Sequence, residues 1–81
     1  MNHAMRQERL ALAERHIAQA QRDAARQRQI VGELIGDGHD TTMAQRLLVQ
    51  FETALKAHIE DRDRWLRADI TKHLVAERTG I

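Results

Sequence analysis

An antiparallel two-helix hairpin of the all-α class is the fold this 81-residue sequence predicts. Three observations lead to it. The chain has no proline and only four glycines, and it is rich in Ala, Leu, Arg, Gln and Glu, whose side chains lose little rotamer freedom in a helix. Apolar residues recur in helical steps over two long stretches. The one loop-like segment lies between them, from Gly36 to Thr42. With one Trp, one Phe and no Tyr, the residues that strands favour are scarce. The whole chain, 1–81, reads as a single domain without linkers or low-complexity segments.

The first helix is expected over about residues 5–35. Leu10, Ala13, Ile17, Ala20, Ala24, Gln27, Val31 and Leu34 alternate steps of three and four, which is a coiled-coil-like heptad seam. Arg, Gln, Glu and His fill the positions between, as on a solvated face. Gln27 is a polar intruder in this seam. A polar residue there can fix register and partner choice at a cost in stability.

The turn is expected at residues 36–40. Gly36 suits a helix C-cap and Gly38 the sharp reversal, because glycine tolerates positive φ. Asp40 or Thr41 can cap the next helix by accepting its free N–H groups. So short a connection makes the two helices antiparallel neighbours.

The second helix is expected over about residues 41–78, with Leu47, Leu48, Phe51, Leu55, Ile59, Leu66, Ile70 and Leu74 apolar. Leu48, Ile59 and Ile70 are eleven residues apart, as are Leu55 and Leu66, a repeat nearly in phase with a straight helix. Arg62 falls on this seam too, and its aliphatic stem suggests that it snorkels outward.

Folding at Gly38 pairs residues whose numbers sum to about 76, given equal rise on both helices. Ile17 then faces Ile59, and Leu10 faces Leu66. Ala20 and Ala24 face Leu55 and Phe51, small against large, and Val31 and Leu34 meet the start of the second helix near Ala44. Each helix has one neighbour, so Ile30, Ile35, Leu47, Trp65 and Val75 should remain exposed, and Ile70, Leu74 and Val75 should overhang the first helix. A leftover apolar stripe marks a partner surface. The expected partner is a second copy, giving a homodimeric four-helix bundle, with Leu47, Phe51, Trp65, Ile70 and Leu74 at the interface.

Little in the sequence points to chemistry. There is no Cys and no Ser, and no glycine-rich phosphate cradle. Glu60, Asp61 and Asp63 stand among Arg62, Arg64 and Arg67, where ion pairing along a solvated helix accounts for them. No catalytic residue, cofactor or metal site is expected, and the protein is not expected to be an enzyme. The turn lacks the alternating carboxylates and the final Glu of a calcium loop. The five histidines form no His-Glu-x-x-His or Glu-x-x-His motif. The pairing rule does place His16 near His58 and His3 near His73, and such pairs can bind zinc or sense pH. Arg15, Arg22 and Arg26 could form a basic stripe on the first helix, with Arg28 beside it. Asp23 interrupts it, no aromatic is interleaved for base stacking, and the net charge is only +1. No apolar run approaches the roughly 20 residues of a membrane span, and Met1 to Arg6 has no apolar signal core. A cytoplasmic location is expected.

The stretch Arg15 to Leu66 resembles a group of short proteobacterial proteins with no established activity. The likeness rests on His16-Ile17-Ala18, on Arg26-Gln27-Arg28 with Ile30, and on Gly38-His39-Asp40-Thr41. It continues through Ala44, Leu47-Leu48, Phe51-Glu52, Leu55, His58 and Arg62. The resemblance implies a helical hairpin and carries over no site. The functional expectation is a non-catalytic interaction, scaffolding or regulatory module that self-associates and has room for an unidentified protein partner. The alternatives are a nucleic-acid-associated dimer using the arginine face and, third, a histidine-based metal or pH sensor.

Overall fold

The computed structural model describes the backbone of residues 3–78 and the side chains of residues 4–68. It consists of α1 (His3–Gly36) and α2 (Thr42–Arg78), running antiparallel. The hairpin measures 66 × 20 × 14 Å, two helices wide and little more than one helix thick, since a helix with side chains is about 10–12 Å across.

The chain reverses through a Schellman turn. The His39 N–H donates to the Leu34 carbonyl at 2.9 Å and the Gly38 N–H to the Ile35 carbonyl at 3.1 Å. Gly38 takes φ +75°, the left-handed conformation that this pattern needs after the last helical turn. The expected division of labour between the glycines is thereby corrected. Gly36 is the last residue of α1 and needs no positive φ, while Gly38 is both cap and reversal.

Entry into α2 is fixed on the other side. The Asp40 carboxylate accepts the Thr42 N–H at 3.0 Å and the Thr42 hydroxyl at 2.8 Å. These bonds, the backbone one foremost, lower the Asp40 pKa. Thr41 starts the helix through its carbonyl, which accepts the Gln45 N–H at 2.8 Å. Its hydroxyl accepts from the Gln45 side chain at 2.8 Å, so the two residues share the capping role.

The seam of α1 is the one the sequence spacing gives. The buried residues are Ile17, Ala20, Ala24, Gln27 and Val31, while Leu10, Ala13 and Leu34 at the ends are half-buried. Among the described side chains, all five buried residues belong to α1. On α2 the facing positions Ala44, Leu48, Phe51, Leu55, Ile59 and Leu66 are only half-buried. The asymmetry follows from size. Ala20 and Ala24 let α2 lie close, and the larger α2 side chains cover them while keeping their own outer edges in water.

Along α2 the three-four spacing of Ala44, Leu48, Phe51 and Leu55 continues through His58, Arg62 and Trp65, all half-buried. Ile59 and Leu66, one from each of the two eleven-residue series, run beside it. The facing strip is therefore two columns wide beyond Leu55, where a straight helix has drifted out of a strict heptad.

Ile35 and Leu47 are exposed as expected, at 60% and 40%. Ile30 and Trp65 are instead half-buried: Ile30 follows the buried Gln27 by three residues at the margin of the α1 seam, and Trp65 continues the three-four series of α2. Met43, Val49, Met5 and Leu12 are exposed in addition. The side chains of Ile70, Leu74 and Val75 lie outside the described residues.

Two outcomes test this account of the turn. Gly38→Ala should destabilise the hairpin by about 1–2 kcal/mol, the cost of a left-handed residue bearing a Cβ. Gly36→Ala and Gly32→Ala add a methyl to helical positions with nothing within 4 Å, and should stabilise by up to about 1 kcal/mol; urea melts of the three variants decide. Asp40→Ala should lower the melting temperature at neutral pH. A lowered folded-state pKa makes the Asp40 contribution complete above the ordinary value of about 3.8 and lost as pH falls through the folded value. Melting curves of the two proteins should accordingly converge at strongly acidic pH.

Candidate functional site

Polar side chains cluster where α2 faces the first half of α1. Glu14 and His16, on the turn of α1 just before Ile17, meet Arg62 and His58, one helical turn apart on α2. The Arg62 guanidinium donates from Nη1 to both Glu14 oxygens, at 3.3 and 3.4 Å, and from Nε to Asp63 Oδ1 at 3.1 Å. Its side chain keeps 26% of its surface. The stem lies against the seam and the head emerges between two carboxylates. The hydrogen bond to Asp63, with the Glu14 charge beside it, raises the pKa of the guanidinium above its already high value.

The His16 and His58 rings meet across the helix boundary with centroids 5.5 Å apart and planes tilted by 46°. They stand at one end of an open, largely apolar groove of about 320 Å³, whose other walls are Gln19, Ala20, Asp23, Phe51 and Ala54. Gln19 donates to Asp23 at 2.9 Å and accepts from Arg22 at 2.9 Å, which holds the α1 wall of the groove in place.

Nearer the turn the seam contains one more polar group. Gln27 keeps 5% of its surface, and its amide donates to the Ala44 carbonyl on α2 at 2.9 Å. A backbone carbonyl has a second lone pair left after its own helical bond, so the buried amide is met without breaking α2.

The register agrees with the pairing rule far from the turn and departs from it close by. Glu14 opposite Arg62 obeys it, and His16 opposite His58 comes within half a turn. Gln27, however, reaches Ala44, nearer the turn than the rule gives. Residues 39–41 are not helical, and each can advance about 3.3 Å rather than the helical 1.5 Å. Thus α2 begins already alongside the interior of α1. Of the polar partners, Glu14 was findable by the same rule that joined His16 to His58. The Ala44 carbonyl was not, since a backbone acceptor leaves no sequence signal.

The remaining expected sites are dispersed. Arg64 pairs with Asp61 at 2.9 Å on the exposed face of α2, and Arg62 with Asp63 at 3.0 Å, as ion pairing along the helix requires. Arg15, Arg22, Arg26 and Arg28 are exposed on α1, with Arg22 held by Gln19. His3 and His73 lie outside the described side chains. Among the described residues no group of three or more His, Cys, Asp or Glu could hold a metal ion, and no helix is long and apolar enough to cross a membrane.

Comparisons with protein-family models, with curated proteins and with solved structures find no match for this chain.

The buried amide gives a test. Gln27→Ala should cost about 1 kcal/mol or somewhat more, from the lost hydrogen bond and the space left behind. Gln27→Leu, which fills the space with apolar surface, should be at least as stable as the parent protein in denaturant melts.

Proposed function

We propose that the chain is a small, non-catalytic interaction module of the cytoplasm that self-associates through its hairpin, two copies forming a four-helix bundle. The observation that carries this reading is unspent surface. The chain exposes 6535 Å², against the roughly 5,000 Å² expected for a compact monomer of its mass. The difference, about 1,500 Å², exceeds the roughly 800 Å² that each partner contributes to a standard interface.

Some of that surface is apolar and concentrated near the turn. Ile35, Met43 and Val49 are 60%, 74% and 63% exposed. Leu47 follows Met43 by one helical turn, on the same face of α2. Phe51 and Trp65 add half-covered aromatic edges further along α2. The non-catalytic part of the reading is supported by the open groove, which excludes water poorly, and by the engagement of the Arg62 guanidinium with Glu14 and Asp63.

Light scattering on a sizing column, across a dilution series, should return a mass of two chains. Leu47→Glu places a charge on an exposed position that the hairpin itself does not need. It should reduce the mass to one chain while leaving the helix content unchanged, and Trp65→Ala should weaken association. A well-folded monomer at all concentrations would overturn the proposal. Salt-sensitive binding to duplex DNA would instead favour the arginine face of α1.

A further inference from the structure

We propose that His16 and His58 chelate a divalent transition metal of the zinc and nickel class, clipping α1 to α2. The two imidazoles come from opposite helices, and their centroids are 5.5 Å apart. Two imidazole nitrogens at about 2.0–2.1 Å from one tetrahedral zinc place their ring centroids roughly 5 Å apart. The observed centroid separation is close to that value, so the two helices already stand at the spacing a shared metal requires.

The neighbouring groups leave the pair available. Arg62, one turn beyond His58, is engaged by Glu14 and Asp63. Asp61 is paired with Arg64, and Asp23 accepts from Gln19. Among the described residues, neither histidine makes a hydrogen bond; each has only the other ring as its partner. The open groove beside them admits the waters that complete the coordination sphere. Neutral imidazole selects zinc, nickel and copper over magnesium and calcium, which prefer oxygen ligands. The site bridges residues far apart in sequence, so metal bound there favours the folded hairpin over the open chain.

The test is thermal melting of the full chain with zinc chloride, nickel chloride or magnesium chloride, with mass followed in parallel by light scattering. Zinc and nickel should raise the melting temperature and magnesium should not. The rise should persist in His39→Ala and vanish in both His16→Ala and His58→Ala. His16 is exposed, so its replacement leaves a folded protein in which the loss can be read. Proton NMR of the imidazole resonances should show the same two rings responding to substoichiometric zinc. The proposal is overturned by no rise at millimolar metal, by a rise surviving in either single variant, or by a metal-induced doubling of the mass, which would mean a bridge between molecules.

Discussion

The left-handed backbone at Gly38 places the start of α2 beside the body of α1, and the rest of the hairpin depends on that placement. The Schellman bonds to Leu34 and Ile35 end α1 at a defined residue, and the Asp40 carboxylate begins α2 within four residues of them. Two helices that share a single interface have few other means of fixing register. The apolar seam is tolerant, because sliding one helix by a turn exchanges one Leu or Ile for another. The turn removes that freedom at one end. Gln27 on Ala44 and Arg62 on Glu14 remove it further along, since a displaced helix would leave a buried amide unbonded and an ion pair opened.

Thinness governs the energetics. A helix in a globular core touches several neighbours, but here each has one, and among the described side chains the buried ones are confined to α1. Alanines at positions 20 and 24 bury completely or nearly so, yet each removes little apolar area from water. The larger residues that would contribute more, Leu48, Phe51, Leu55 and Ile59, finish half in solvent. Stability on this plan draws unusually on caps, helix propensity and the few interhelical polar contacts.

Much of this was legible in the sequence, and what was not has definite physical causes. The seam Ile17, Ala20, Ala24, Gln27, Val31 was fixed by spacing alone, because burial of one face leaves a periodic record. The nearness of His16 and His58 followed from counting back from the turn. The separate roles of Gly36 and Gly38 were not legible, because composition marks where positive φ is tolerated and the hydrogen bonds decide where it is used. Half-burial of Ile30 was hidden for a similar reason. A position beside the seam is covered or bare according to the tilt of the facing helix, which spacing does not encode. Met43 and Val49 lie off the seam altogether, where an apolar residue adds nothing to the periodic pattern.

The burial asymmetry also bears on where a second layer could be laid. The inward face of α1 is already filled to its alanines, so a further helix gains little by approaching that seam. On α2 the outer edges of Leu48, Phe51 and Leu55 are still wet, and Met43 and Leu47 continue the apolar surface toward the turn. Among the described residues, area to be removed from water is thus available chiefly along the first half of α2. Beyond Leu55 the facing strip mixes His58 and Arg62 with Ile59, Trp65 and Leu66, and the hydration of the two polar groups opposes burial unless each is paired. In the proposed dimer the turn-proximal part of α2 therefore contributes most of the described apolar area, and the edge of Trp65 adds to it further along. The polar layer stays at the margin, open to water and to ions.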